Sequence, residues 1–239
     1  MTIASRAPVE TTTRRVAAGL LAVEGLLIFV PLAVLGAAIG WPASLGDPAA
    51  VALPRLLENE GVVRFGYGVY LVYSVLFLPV AVWTTRALTR GDDGPLARTA
   101  VGFAIASALA RSIGILRWLT AMPALARTWE TTPEGEGRAA LAAVYDALND
   151  FGGGIGEVLG VSLFAVGWLA CTLIAARRAG AVPGWLLGAG AVTALAVALP
   201  LVELAGLDAG PATTISGTVL HLWFLTTAVV LARTSGRRS

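Results

Sequence analysis

Two arginines, Arg111 and Arg117, lie inside an apolar segment that is long enough to cross a membrane, "SALARSIGILRWLTAMPAL" over residues 107–125. An arginine at the centre of a bilayer costs about 2.5–3.5 kcal/mol on insertion scales, so an intramembrane arginine is expected to have a partner or a function. Arg111 is predicted near the midplane, because a helix that starts near residue 99 rises about 1.5 Å per residue. Arginines at such depths can hold an anionic or carbonyl group.

Three carboxylates follow in "YDALNDFGGGIGEVLG", residues 145–160. Asp146, Asp150 and Glu157 are spaced four and seven residues apart, which places them on one face of a continuous helix. A carboxyl group in dry surroundings can exchange a proton with a bound molecule. We therefore expect Asp150 and Glu157 to meet the two arginines and to be the candidate catalytic residues. The alternative is a buried ion pair between Arg111 and Glu157 that only locks two helices together.

Polar and aromatic side chains from other helices are predicted at a similar depth, which is consistent with a polar pocket that opens outward. His221 could contribute to this pocket or could simply be a hydrogen-bonded core histidine. The candidate ligand-binding residues are Arg111, Arg117, His221, Tyr70, Trp118 and Glu203.

The composition is that of a membrane protein, with 56% hydrophobic and only 13% charged residues. A soluble domain carries about 25% charged residues. A membrane-spanning helix needs roughly 20 apolar residues, and six segments meet this requirement. We predict an all-α bundle with spans at about 16–40, 65–88, 99–123, 153–176, 182–205 and 212–232.

Arginine placement predicts the orientation of these helices. Apart from Arg111 and Arg117, eleven arginines fall in the tails and loops of one side and four on the other side. Positive charge favours the cytoplasmic side, so both termini are expected there, in a cell membrane. The predicted organisation is a cytoplasmic tail over 1–13, a membrane domain over 14–232 and a second tail over 233–239. Two surface helices are expected on the opposite side, over 50–59 and 137–150.

Gly152, Gly156 and Gly160 repeat every four residues at the start of the fourth span. Such a row lets two helices approach closely. It predicts either a tight meeting with helix 3 or a homodimer through these glycines.

Several classes of protein are disfavoured. One histidine and one cysteine (Cys171) exclude a three-histidine zinc site, bis-histidine haem ligation and a thiolate cluster. No phosphate loop, GxSxG or HExxH motif is present. The arginines lie at the ends of apolar segments, so no nucleic-acid partner is expected. No metal and no cofactor are predicted.

The arginine-bearing third helix and the glycine-rich start of the fourth resemble a known family. The resemblance covers most of the chain and implies a six-helix membrane protein, but it implies no reaction and no catalytic residue. The family is the DUF4386-type family of uncharacterised bacterial membrane proteins, and the stretches that carry it are "GYGVYLVYSVLFLPVAV", "ARSIGILRWLTAMPALA" and "NDFGGGIGEVLGVSLFAVGW".

Three functional hypotheses fit these residues. The first is a pocket that binds a small amphiphilic, lipid-like or isoprenoid-like molecule, with acid–base catalysis of the cyclase or isomerase type by Glu157 or Asp150. The second is a proton-coupled transporter of small molecules, which is supported by weakly matching three-helix halves. The third is a non-catalytic sensor or assembly module that uses the pocket for a membrane lipid.

Overall fold

The computed structural model describes residues 6–207, 209–210 and 212–236, and within them it contains helices and no strand. The helices are numbered in chain order. They are α1 (Arg6–Leu27), α2 (Phe29–Ile39), α3 (Ala49–Glu58), α4 (Glu60–Leu88), α5 (Pro95–Leu119), α6 (Ala121–Thr131), α7 (Glu136–Gly153), α8 (Ala165–Ala179), α9 (Gly184–Ala198) and α10 (Ala212–Gly236).

Six helical runs are long and apolar enough to cross a membrane, which confirms the predicted all-α, six-span architecture. Each predicted span overlaps one of these runs. They cover Glu10–Ile39, Glu60–Leu88, Pro95–Thr131, Glu136–Ala179, Gly184–Ala205 and Ile215–Thr234. The cytoplasmic placement of the termini stays a prediction.

The predicted tails over 1–13 and 233–239 stay a prediction, and the structure describes only part of each. Residues 6–13 already belong to α1, because this helix starts at Arg6. Residues 1–5 and 237–239 lie outside the described part of the chain.

Two of the runs, Pro95–Thr131 and Glu136–Ala179, are too long for a bilayer. The run Glu136–Ala179 has 44 residues, and at 1.5 Å per residue it extends over about 66 Å. The hydrocarbon core is only about 30 Å thick, so a large part of this run must lie outside it.

The two predicted surface segments are both helical, as α3 and as α7. We call α3, α6 and α7 the cap helices, and each of them packs against the other two.

The chain divides into two compact units. Unit 1 consists of Met1–Leu26, Leu76–Leu109 and Val158–Ser239. Its core is built around the buried indole of Trp168, which contacts the rings of Phe77, Trp223 and Phe224 edge to face. The indole nitrogen donates a hydrogen bond to the hydroxyl of Thr85 at 3.1 Å, so its one polar atom is satisfied in the apolar core.

Unit 2 consists of Leu27–Val75 and Ala110–Glu157, and it contains the cap helices. It has its own core, which includes Leu35, Leu53, Leu56 and Met122, all at most 2% exposed. The core also contains two aromatic side chains, Tyr67 of α4 and Trp118 of α5.

A π-helical segment, Gly154–Phe164, joins α7 to α8 without interrupting the helical run. Most π-helical turns in proteins are single-turn insertions, which often lie at functional sites, so a segment of 11 residues is unusual. The segment carries Glu157 and two glycines of the predicted row, Gly156 and Gly160.

The predicted close approach of the third and fourth spans is confirmed in unit 2. There α5 meets the run Glu136–Ala179 at Gly114 and Gly156. A methyl group added to Gly114 would lie 2.7 Å from the Cα of Gly156 and 2.8 Å from the carbonyl oxygen of Gly152. Only glycine permits backbones to approach this closely. Gly160, which belongs to unit 1, is also buried. The homodimer through these glycines stays a prediction, and two of the three already face α5.

Gly114→Ala tests this crossing, with Gly102→Ala on the same helix as its control. The space around Gly102 is open to 4 Å. Alanine is favoured over glycine in a helix by about 1 kcal/mol, so the control should be neutral or slightly stabilising. The methyl group at position 114 meets backbone atoms that cannot rotate away, and overpacking of this kind costs about 1–3 kcal/mol. Thermal unfolding in a mild detergent measures both variants, and equal melting temperatures would contradict the crossing.

Candidate functional site

Arg117 lies in the last turn of α5, beside a break in the helical run. The break follows from Pro123, which has no N–H to donate to the carbonyl oxygen of Leu119, four residues earlier. The Nη1 of Arg64 donates to this oxygen instead, at 3.1 Å. Arg64 also pairs with Glu60 at 2.8 Å. A hydrogen bond from the charged side chain of Arg64 on α4 thus stabilises the end of α5 and the helical turn that carries Arg117.

The guanidinium group of Arg117 reaches the fourth span. Its Nη2 donates to the Oδ1 of Asn149 at 3.3 Å. Its side chain runs directly over Gly152, where a methyl group would be 2.5 Å from Nη1. Its own neighbour, Trp118, presents its ring 5.5 Å from the guanidinium carbon. The missing side chain at position 152 therefore provides the space in which the arginine lies.

Tyr67 of α4 completes this group. Its ring stacks on Trp118 with the planes only 1° apart and the centroids 5.2 Å apart. The side chain is 1% exposed. Its hydroxyl is buried and has no hydrogen-bond partner among the described residues. A buried hydroxyl without a partner is unusual, because its desolvation is then not compensated.

Glu157 acts on these residues electrostatically. The carboxylate attracts the guanidinium of Arg117 and also interacts with the phenol of Tyr67. Within the described part of the chain, however, no ion pair within 4.0 Å joins Arg117 to a carboxylate. The Nε of Arg117 is buried and likewise has no hydrogen-bond partner among the described residues. The Arg117 site, which we define as Tyr67, Arg117, Trp118, Asn149 and Glu157, thus contains two buried polar atoms that lack partners.

Arg111 lies on the buried face of α5, as expected from its spacing to Gly114 and Trp118, and it is 4% exposed. Its guanidinium carbon is 4.7 Å from the ring centroid of Tyr73. Such a contact between a cation and an aromatic face is worth about 2 kcal/mol or more when desolvated. The ring of Tyr73 lies 5.7 Å from that of Tyr70. The ring of Tyr73 therefore lies between the ring of Tyr70 and the guanidinium group of Arg111 in a chain of contacts.

Asn149 links the Arg117 site to the loop between α2 and α3. Its Nδ2 donates to the carbonyl oxygen of Leu45 at 2.8 Å, while its Oδ1 accepts from Arg117. One turn earlier on α7, the hydroxyl of Tyr145 donates to the carbonyl oxygen of Asp47 at 3.3 Å. The side chain of Asp47 pairs with Arg55 at 2.9 Å. These contacts hold the loop against α7.

The predicted meeting of Asp150 with the arginines is not found. Asp150 is exposed, and no hydrogen bond or ion pair among the described residues joins it to Arg117, which bonds to Asn149 instead. The reason is the glycine row. Gly152 and Gly156 must face α5 to permit backbone contact. Asp150 precedes Gly152 by two residues, and a helix turns about 100° per residue, so Asp150 points about 200° away from that face. The proposed catalytic role of Asp150 stays a prediction without a contact to support it.

Two predicted ligand-binding residues belong to unit 1. His221 lies on α10, where its Nδ1 is 2.6 Å from the carbonyl oxygen of Gly217 in the same helix. A carbonyl oxygen only accepts, so Nδ1 carries the proton in this contact. Glu203 is exposed, on the 3-10 helical segment Leu199–Ala205. A role for either residue in ligand binding stays a prediction.

Among the members of the Arg117 site, Asn149 was absent from the sequence-based predictions. Tyr67 precedes the predicted Tyr70 by three residues, and both lie on one face of α4. Asn149 is four residues after Tyr145 and three before Gly152, so it shares the face that the glycines place against α5. The glycine register was therefore the signal that could have identified Asn149 in the sequence.

The fold and this site define a multi-spanning helical membrane protein with a buried, arginine-centred polar cluster. The chain belongs to the family described as "Domain of unknown function (DUF4386)", whose match extends over residues 17–232. This confirms the resemblance seen in the sequence. Comparison with curated proteins gives no match. Comparison with solved structures also gives none.

Asn149→Ala tests the link between the site and the loop, with the exposed Asp146→Ala on the same helix as its control. The alanine variant leaves the carbonyl oxygen of Leu45 without its donor and Arg117 without its acceptor. Each lost hydrogen bond costs about 1 kcal/mol. We expect a lower melting temperature and faster amide hydrogen exchange over residues 41–47, with no such change in the control. Unchanged exchange in that segment would show that Asn149 does not hold the loop.

Proposed function

We propose that this protein binds a small amphiphilic molecule within the membrane, with the polar end of the molecule at the Arg117 site. The observation that carries the proposal is the pair of buried polar atoms without partners, the Nε of Arg117 and the hydroxyl of Tyr67. A buried polar atom without a partner costs about 1–3 kcal/mol. A ligand that supplies a hydrogen-bond acceptor removes this cost.

The donors of the site define which end of a ligand would bind there. A guanidinium group only donates hydrogen bonds, so its partner must carry acceptor oxygens. The tyrosine hydroxyl can donate to the same group. The stacked rings of Tyr67 and Trp118 provide a flat apolar wall next to these donors. An oxygen-bearing end attached to an apolar body matches both features.

The apolar body of such a molecule has a suitable environment in unit 2. Several large apolar side chains on the same helices are strongly exposed, which in a membrane-spanning run means contact with lipid. An acyl or isoprenoid chain in contact with these side chains stays in a hydrocarbon environment. They include Phe65 at 59%, Ile113 at 46%, Leu116 at 47% and Phe151 at 71% exposed.

Glu157 is the residue that we propose to exchange a proton with the bound molecule. It lies on the π-helical segment, is half-buried and acts electrostatically on both Arg117 and Tyr67. A carboxyl group in this position can give a proton to a bound oxygen or take one from it. This is the acid–base form of the proposal.

Arg117→Gln tests binding, with Arg98→Gln, an exposed residue of the same helix, as its control. Native mass spectrometry of gently solubilised protein should show a retained small molecule in the wild type and in the control. The glutamine variant loses the guanidinium donors, so we expect at least a tenfold lower retention. If the folded variant retains the molecule as well as the wild type does, the Arg117 site does not bind it.

Glu157→Gln separates catalysis from binding. The glutamine cannot transfer a proton, but it keeps the shape of the side chain and can still accept hydrogen bonds. We expect the variant to retain ligand, and chromatography of the extracted ligand should give one species where the wild type gives substrate and product as two. The same two ligand species in both proteins would rule out the acid–base role and leave the binding proposal in place.

A further inference from the structure

We infer that the polar end of the ligand is an oxyanion, such as a carboxylate or a phosphate, held directly by Arg117. This inference rests on the proposed function and narrows it to one class of amphiphile. The supporting observation is the way in which the arginines of unit 2 are neutralised.

Three other arginines of unit 2 have direct carboxylate partners. Arg55 pairs with Asp47 at 2.9 Å, and Arg64 and Arg127 both pair with Glu60, at 2.8 and 3.0 Å. These ion pairs lie where water or headgroups already screen the charge, so they contribute little energy. An uncompensated charge costs more the less it is solvated.

Arg117 departs from this arrangement. It is half-buried in an apolar run, yet its only hydrogen-bond acceptor among the described residues is the neutral amide of Asn149, at the long distance of 3.3 Å. Glu157 attracts it from beyond ion-pair distance. A charge in such surroundings is expensive unless it is paired and hydrogen-bonded. A bound anion would supply the missing direct partner.

The geometry of the free donors favours an oxyanion over a single oxygen. The Nε of an arginine shares one edge of the planar guanidinium with a terminal nitrogen, and this edge matches two oxygens of a carboxylate or phosphate. In Arg117 the buried Nε has no acceptor among the described residues. The hydroxyl of Tyr67 adds one more donor without a partner in the same set.

The charges around the site also discriminate between headgroups. Hydrogen bonds between ionised groups are about twice as strong as those between neutral ones. An alcohol can accept one hydrogen bond but does not neutralise Arg117. An ammonium headgroup brings no acceptor and is repelled by the guanidinium, while Glu157, which would attract it, lies beyond ion-pair distance of Arg117. The expected order of affinity is therefore anionic, then neutral, then cationic.

A series of twelve-carbon amphiphiles tests this order, because all members share one tail. Dodecanoate, dodecyl phosphate, dodecanol and dodecylamine are titrated at pH 8 into purified full-length protein in a neutral detergent, and the dissociation constants are measured by calorimetry. We expect both anions to bind at least tenfold more tightly than the alcohol, and the amine to bind most weakly. Tyr67→Phe should weaken the anions several-fold, and Arg98→Gln should change nothing.

Arg117→Lys and Arg117→Gln identify which property of the arginine is used. Lysine retains the charge but has no planar edge, so it should recover only part of the affinity for the anions, whereas glutamine should lose it. Equal binding of all four headgroups, weakened equally in Arg117→Gln, would overturn the oxyanion assignment and keep the proposed function. Binding that ignores Arg117 and Tyr67 throughout would overturn both. If an Arg117 variant does not fold, the headgroup order in the wild type and in Tyr67→Phe decides.

Discussion

The backbone contact between Gly114 of α5 and Gly156 of the long fourth run is the constraint on which the Arg117 site depends. Two helices in this contact can rotate very little, since any rotation would bring a side chain into the interface. The contact therefore fixes which face of each helix is buried. It places Arg117 over Gly152 and next to Asn149, and it leaves Asp150 on the exposed side.

Helix breaks give the site its second fixed boundary. Pro123 lies just after the break between the end of α5 at Leu119 and the start of the cap helix α6 at Ala121. The carbonyl oxygen that this proline leaves without a helical donor is bonded by Arg64. This hydrogen bond satisfies the carbonyl oxygen at the break, and Arg64 is itself paired with Glu60.

Two buried polar clusters, one in each unit, differ in how completely they are paired. In unit 1 the buried network of Trp168, Thr85 and Thr172 is closed, with donors and acceptors matched at 2.9–3.1 Å. This arrangement stabilises a core and leaves no donor for a ligand. In unit 2 the stacked Tyr67 and the half-buried Arg117 keep buried polar atoms without partners in the described chain. A buried polar atom without a partner calls for an explanation, and at the Arg117 site we propose a bound ligand.

The sequence by itself determined the class and the helices of this protein. Apolar runs of about 20 residues can only be satisfied as helices in a bilayer, so six spans follow from composition alone. The intramembrane position of Arg111 and Arg117 follows in the same way. Tertiary structure decided the partners, because helical periodicity gives the faces of a helix but not which face meets a neighbour. The carboxylate face and the glycine face were both candidates, and only the contact at Gly114 selected the glycines, and with them Asn149 in place of Asp150.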